Sequence, residues 1–120
     1  MLFRSKHYRW EDVTREKMNP LFERRVINGE RLTLAQVYLK KGCQVPLHSH
    51  ANEQISNVYE GRLRFEIGGQ EKIVGPGEAV HIPSGVPHLA EALDDCVCLD
   101  IFTPVREDWL RGDEDRKSVV

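Results

Sequence analysis

The chain has 120 residues, of which 40% are hydrophobic and 30% charged, and its formal net charge is -2. This length predicts one domain with one core, and the small net charge leaves no broad basic surface, so we expect no nucleic acid partner. No apolar run is long enough for a membrane-spanning helix, so we expect no membrane partner either.

The three cysteines indicate a reducing compartment. Cys43, Cys96 and Cys98 are odd in number, and the last two are too close in sequence to form an unstrained disulfide easily. The first residues also lack the apolar segment of a signal peptide. We therefore predict reduced thiols and a cytoplasmic protein.

Residues 1–20 are predicted to form a short helical arm laid on the main domain. Trp10–Met18 has helical composition with few apolar residues, and Asn19-Pro20 interrupts it. From Phe22 the pattern changes to β. Phe22–Ile27 ends at Asn28-Gly29, which predicts a two-residue hairpin leading into the alternating strand Arg31–Leu39.

Short strands separated by glycine, proline or paired aspartates continue to residue 102. The predicted strands are Gln54–Glu60, Arg62–Ile67, Lys72–Val74, Ala79–Pro83, Pro87–Leu93 and Cys96–Phe102. With no helical pattern between them, they predict an all-β sandwich or barrel of jelly-roll type. We assign residues 21–111 to this barrel, with a final helical turn at Glu107–Arg111, and residues 112–120 to a flexible tail.

Three of the five histidines fall beside turn residues in two of these β segments. His48 and His50 are two residues apart, so an extended chain projects both rings from one face, and His88 follows a tight turn that can bring it over the pair. Gln54 shares their parity and could add an oxygen ligand, whereas Glu53 would serve only after a one-residue slip. This set predicts one divalent transition metal ion, with nickel, zinc, iron, manganese and copper all compatible.

The same residues carry a family resemblance. Both segments resemble the paired motifs of the cupin superfamily, G-x5-H-x-H-x3-E-x6-G and G-x5-P-x-G-x2-H-x3-N. The matching positions are Gly42, His48, His50 and Gly61 in the first motif and Gly77, Pro83, Gly85 and His88 in the second. The resemblance implies a single-domain cupin, a double-stranded β-helix. Two positions depart from it: Gln54 replaces the usual glutamate, and Ala92 stands where asparagine is common.

The glutamine changes the chemistry expected of the site. A neutral carbonyl oxygen in place of a carboxylate raises the charge of the metal site by one unit, which favours polarisation of a bound hydroxyl or carbonyl over oxygen chemistry. We therefore expect Lewis-acid catalysis.

The last strand presents polar residues on the parity that could line a barrel mouth. Asp100 could move a proton, Phe102 could form an apolar wall, and Arg106 could grip a carboxylate. Alternatively, Asp100 pairs with an arginine, Phe102 belongs to the core, or Arg64 competes with Arg106 for the carboxylate.

The set Asp100, Phe102 and Arg106, following two cupin motifs with a glutamine ligand, resembles the small cupins of pectin and alginate breakdown. Members of that family convert 4,5-unsaturated monouronates to linear 5-keto-4-deoxyuronate. The resemblance implies metal ligation by His48, His50, Gln54 and His88, catalytic roles for the set just named, and an acidic sugar as the small-molecule substrate.

Two other functions remain open from the sequence, a metal-dependent dioxygenase and a non-catalytic module that binds a sugar or other small molecule. His81 alternates with apolar neighbours and is expected to face away from the lumen. Trp10 and Trp109 could anchor the terminal segments. The apolar strand faces within 32–39 and 97–101 predict a homodimer.

Overall fold

The computed structural model describes residues 4–110, which form two antiparallel sheets around one core. The elements are β1 (Glu16–Asn19), β2 (Phe22–Asn28), β3 (Thr33–Leu39), β4 (Gln44–His48), β5 (Glu53–Glu60), β6 (Leu63–Ile67), β7 (Gln70–Val74), β8 (Ala79–Ile82), β9 (His88–Ala92), β10 (Cys96–Thr103) and α1 (Glu107–Leu110). The larger sheet has the order β1-β2-β3-β10-β5-β8, and the smaller has the order β4-β9-β6-β7. The predicted all-β jelly roll is confirmed.

Alternation along the strands builds the core between the sheets. In β3 every second residue from Thr33 to Leu39 is buried, and in β6 Leu63, Phe65 and Ile67 are buried. Cys96, Cys98 and Phe102 are buried on the inner face of β10. The inward parity predicted for β10 is therefore observed.

The N-terminal arm has less helix than its composition suggests. Helical structure is confined to one 3-10 turn at Trp10–Asp12. Glu16–Asn19 instead forms β1, which pairs with β2 at the edge of the larger sheet. Tertiary pairing overrides local propensity in this segment, and the arm joins the barrel from Glu16 onward.

The loop between β2 and β3 is longer than the predicted two-residue turn. Asn28 pairs with Thr33, so four residues lie between them, and the Gly29 N–H donates to the Leu32 carbonyl at 2.8 Å. A two-residue hairpin of the predicted kind needs positive φ angles, and Gly29 is not among the glycines that have one. The predicted start of this strand at Arg31 is therefore two residues early.

A bulge turns the end of β4 toward the barrel interior. Val45 lies opposite Ala90, but His48, three residues later, lies opposite His88, only two residues from Ala90. Pro46, inside the bulge, has no N–H to donate to the ladder. The extra residue reverses the alternation, so Leu47 is 65% exposed while His48 lines the internal cavity.

The outer face of the larger sheet carries a row of apolar side chains. Ile27, Leu34, Ile101 and Ile55 lie side by side across four neighbouring strands. The row fits the predicted dimer surface, and the homodimer stays a prediction. The predicted flexible tail, residues 112–120, lies outside the described residues, as does Arg111 of the predicted helical turn. Within 4–110 no helix has the length and hydropathy to cross a membrane.

Replacing Gly61 with alanine is expected to destabilise the fold more than replacing Gly69 with alanine. Both glycines have positive φ angles, 79° and 83°, at which a Cβ costs roughly 1–2 kcal/mol. Only at Gly61 would that Cβ meet other atoms, 2.2 Å from the Asp95 carbonyl oxygen and 2.7 Å from the Cys96 Sγ. This overpacking adds about 1–3 kcal/mol. Urea unfolding of both variants measures the difference, and equal losses would contradict it.

Candidate metal centre

Three histidine rings from two segments of the chain converge at one end of the barrel. The ring centroids are 4.2 Å apart for His48 and His88, 4.9 Å for His50 and His88, and 5.5 Å for His48 and His50. Their ligand atoms all lie within 4.8 Å of one another. This is the separation at which three imidazoles can bind one ion.

The backbone fixes which nitrogen of each ring is available. Each Nδ1 contacts a backbone carbonyl two residues away in sequence, at 2.8 Å for Pro46, 3.0 Å for Asn52 and 2.8 Å for Val86. A carbonyl oxygen only accepts, so each Nδ1 carries the proton and donates it. Every Nε2 is then left with a lone pair, as a metal ligand requires.

Burial keeps the rings neutral. Burial lowers the pKa of His48 to about 4 and also lowers the pKa of His50 and His88. The nearby Arg106 acts in the same direction on all three. The Nε2 of His88 is buried without a hydrogen-bond partner among the described residues. A buried polar atom without a partner is costly, so the three rings fit a divalent transition metal ion.

Gln54 is oriented toward the histidines by Ser56. The Gln54 Nε2 donates to the Ser56 Oγ at 3.0 Å, and its Oε1 lies 3.1 Å from the His50 Nε2. Because the His50 proton is on Nδ1, these two atoms both present lone pairs. Two neighbouring ligands of one ion at about 2.1 Å would be roughly 3 Å apart, so this contact also fits a shared metal ion.

Glu53 and His81 lie on the outer surface, where they pair with each other. The His81 Nε2 is 2.7 Å from the Glu53 Oε2, and about half of each side chain is exposed. Glu53 is therefore turned away from the three histidines, and a one-residue slip of β5 does not occur. His81 faces away from the lumen, as its alternation predicts.

The pairing of β5 with β10 brings Asp100 and Phe102 to the same site. Asp100 lies opposite Ser56, and Phe102 lies opposite Gln54. Phe102 is only 2% exposed, and its ring contacts the His50 ring edge-on at 5.7 Å between centroids. Phe102 is thus both a core residue and a wall of the site.

Asp100 is a buried acid with an unusual protonation equilibrium. Burial raises its pKa from 3.8 to about 6, while hydrogen bonding from Ser56 and the charge of Arg106 lower it. Its Oδ1 is buried with no hydrogen-bond partner in the described part of the chain. This carboxyl group can therefore exchange a proton near neutral pH.

Arg106 is buried beside the site, whereas Arg64 lies on the outer face of the smaller sheet. Arg106 is 3% exposed, and Asp108 accepts from its Nε at 3.1 Å and from its Nη2 at 2.8 Å. Arg64 pairs with Glu66 and Glu91 on the outer face of the smaller sheet. Of the two arginines considered from the sequence, only Arg106 is near the histidines.

Four further residues, which the sequence did not predict to belong to the site, line it or contact its residues. Ser56 is two residues after Gln54, so strand alternation in the sequence could have placed it on the same inward face. Trp109 was expected to anchor the terminus, but it also lines the cavity and contacts Phe102 edge-on at 5.1 Å. Arg24 is buried and stacks on Trp109 at 3.9 Å. Asn52 bonds to the segment before Arg106, and nothing in its sequence context indicates this contact.

The cavity beside the histidines is small and mostly apolar. Its volume is ≈ 50 Å³, and its lining comes from both sheets. Polar atoms reach it from His48, His88, Gln54, Ser56 and Asp100. A few polar groups converging in an apolar cavity are typical of a small-molecule site, but such sites have volumes of roughly 300–1,000 Å³. This cavity has room for an ion and a few waters, so a larger ligand would extend beyond it.

The chain is similar in sequence and structure to proteins of one known family. Residues 35–102 match the family described as the cupin domain. The structure is similar to that of KdgF from Halomonas sp., with a TM-score of 0.83 and 25% identity over 88% of this chain and 99% of that one. It is also similar to an RmlC-like cupin from Shewanella frigidimarina, with a TM-score of 0.82 and 26% identity over 88% and 96% of the two chains.

A third similarity is to a larger protein. The sequence is 36% identical over 67 residues to dimethylsulfoniopropionate lyase DddQ from Ruegeria pomeroyi, which covers 55% of this chain and 33% of that protein. The chain thus spans about a third of the length of this relative.

The purified protein is expected to bind one equivalent of Ni²⁺ or Zn²⁺. His88→Ala is expected to weaken that binding by more than about 100-fold, because the substitution removes a buried ligand. The matched control is His81→Ala, since His81 lies on the outer face. Isothermal titration calorimetry of the metal-free proteins measures both. Equal affinity of the two variants would contradict the assignment.

In the metal-free protein, Asp100→Asn is expected to raise the free energy of unfolding near neutral pH. The folded-state pKa of about 6 is above the ordinary 3.8, so the unfolded chain releases this proton more readily, and stability falls as the pH rises from the unfolded value until the full loss is reached above the folded value. The gain is up to roughly 3 kcal/mol and disappears as the pH falls toward the unfolded pKa. Urea unfolding at about pH 7.5 and about pH 4.5 compares the two proteins; a pH-independent difference would refute this account.

Proposed function

Because the chain belongs to the cupin family, we propose that it is a metal-dependent enzyme that converts 4,5-unsaturated monouronates to linear 5-keto-4-deoxyuronate. The sequence resemblance to the small cupins of pectin and alginate breakdown supports this substrate class. The likeness to KdgF supports a small one-domain cupin, since it extends over 99% of that chain.

The observation that carries the proposal is the buried carboxyl group of Asp100 beside the three-histidine cluster. Its pKa of about 6 lets it accept a proton in one step and return it in the next at physiological pH. An acid that only stabilised the fold would be expected to have its oxygens paired, and Oδ1 has no partner within residues 4–110.

The metal ion would be held by His48, His50, His88 and Gln54. When bound, a divalent ion at these ligands supplies Lewis-acid polarisation of substrate oxygens. The ligand set is neutral, because burial keeps the imidazoles uncharged and glutamine carries no charge. The full charge of the ion is then available to the substrate.

Arg106 and the aromatic side chains would orient the sugar. The guanidinium offers several donors in one plane, which suits a carboxylate. Asp108 accepts from its Nε and Nη2, so a substrate carboxylate would share the guanidinium with Asp108 or displace it. The guanidinium also lies 4.9 Å from the Phe102 ring and 4.3 Å from the Trp109 ring. These rings exclude water from one side of the guanidinium, which strengthens its electrostatic interactions.

The chemistry is an isomerisation in which one proton changes position. The ionised Asp100 takes the proton of the anomeric hydroxyl, the bond between C1 and the ring oxygen breaks, and C1 becomes an aldehyde. The electrons released reside on the former ring oxygen as an enolate. Asp100 then returns the proton to C4, which leaves the keto group at C5. No oxidant or reductant is required.

A lyase acting on a small carboxylate is the second candidate. The 36% identity to dimethylsulfoniopropionate lyase DddQ favours it. An elimination of this kind also requires a base, which Asp100 could provide. The two candidates differ in product, so direct assays with both substrates discriminate between them.

With bound metal, the protein is expected to accelerate the loss of ultraviolet absorbance of unsaturated galacturonate. Asp100→Asn is expected to lower kcat by about 10²–10⁴-fold, because it removes the proton-transfer group. Arg106→Gln is expected to raise KM by at least about tenfold, because a charged hydrogen-bond partner of the carboxylate is lost.

Arg64→Gln is the matched control, since it removes the same charge from the outer face of the smaller sheet. Its KM should equal that of the unmodified protein. If the substrate decays only at its spontaneous rate, the proposed function is wrong. Oxygen uptake by iron-loaded protein would favour the dioxygenase instead, and release of dimethyl sulfide would favour the lyase.

A further inference from the structure

Asn52 connects the metal centre to the segment that carries Arg106. It lies in the bend between His50 and Gln54 and is 9% exposed. Its backbone carbonyl accepts from the His50 Nδ1 at 3.0 Å. Its side-chain Nδ2 donates to the carbonyl oxygen of Pro104 at 2.6 Å and to that of Val105 at 3.2 Å.

The two carbonyls that Asn52 holds come directly before Arg106. Residues 104–106 lie outside any strand or helix, so no sheet ladder fixes their position. On the other side, the Arg106 N–H donates to the Thr33 Oγ1 at 3.0 Å. The backbone at Arg106 is thus held between Thr33 of the larger sheet and Asn52 of the metal-binding bend.

The guanidinium that this segment carries lies close to the metal-binding rings. It is 4.9 Å from the Phe102 ring, whose centroid is 5.7 Å from that of His50. A shift in the backbone at residue 106 would therefore change the position of the cation relative to all three rings. The two hydrogen bonds to the carbonyls of Pro104 and Val105 need both hydrogens of an amide nitrogen. Aspartate and alanine have no such group.

We propose that Asn52 is a positioning residue that fixes the separation between Arg106 and the three-histidine cluster. Asn52 thereby selects small substrates whose carboxylate and metal-binding oxygens have the matching spacing. The identity of the carboxylate ligand rests on the proposed function, whereas the anchoring of residues 104–106 does not.

The experiment compares Asn52→Ala and Asn52→Asp with Asn57→Asp. Asn57 is on the same strand as Gln54 but outside the inward-facing set, so Asn57→Asp makes the same chemical change away from the site. Asn52→Ala removes the donor and is the second variant if the buried aspartate prevents folding. Both Asn52 variants retain the backbone carbonyl that accepts from His50.

For the Asn52 variants, KM for unsaturated galacturonate is expected to rise by about 10–100-fold, with a smaller effect on kcat, because misplacing a binding group by about 1 Å has effects of this size. Affinity for Ni²⁺ measured by calorimetry should stay within about threefold of the unmodified protein. In a double-mutant cycle, Asn52→Ala should add little to Arg106→Gln, because both act through one contact. Asn57→Asp should behave as the unmodified protein.

Additive effects of Asn52→Ala and Arg106→Gln, or a loss of Ni²⁺ affinity as large as the rise in KM, would overturn the proposal. Amide hydrogen exchange at Arg106 supplies a readout that needs no substrate. Exchange should accelerate by at least about tenfold in Asn52→Ala and not in Asn57→Asp. Unchanged exchange overturns the anchoring role even if the protein proves inactive on uronates, in which case the proposed function fails separately.

Discussion

The antiparallel register between β5 and β10 is the constraint on which the site depends. Two strands in the middle of the larger sheet lie side by side so that Gln54 faces Phe102 and Ser56 faces Asp100. Because side chains alternate with a period of two, a slip of one residue would turn every one of these groups to the outer face. The register that buries the apolar residues of the core is therefore the same register that directs the site residues inward. A change that lost one would also lose the other.

Near these two strands, several backbone carbonyl groups accept hydrogen bonds that orient side chains of the site. The three imidazole protons go to carbonyls two residues away in sequence, so each ring is oriented by its own stretch of backbone. Because backbone carbonyls orient the histidines, no carboxylate is needed for that purpose. Asp100 is therefore not committed to orienting a histidine ring. Its ionised form is kept within reach of neutral pH by the opposing effects of burial, Ser56 and Arg106.

Sequence reasoning succeeded where strand alternation decides the structure, and it failed at the local Asn28-Gly29 signal and wherever long-range pairing decides. The strand parity of β10 and the convergence of the histidine segments follow from alternation and turn residues, both of which are readable from neighbours in the chain. The strand at Glu16–Asn19 was missed because its structure comes from pairing with β2. Asn52 was missed because its partners are more than fifty residues away. Long-range hydrogen bonds leave no period in the sequence, and only the folded arrangement reveals them.

The position of β4 sets how the site is expected to open. β4 is an edge strand of the smaller sheet, paired on one side only, and its ladder to β9 is interrupted by the bulge at Pro46. His88 and Gln54, in contrast, lie on strands with neighbours on both sides. An ion bound here would join this edge strand to the interior of the barrel. Its residence time would then be governed by fraying of one strand, so that metal exchange could proceed while the rest of the barrel stays folded.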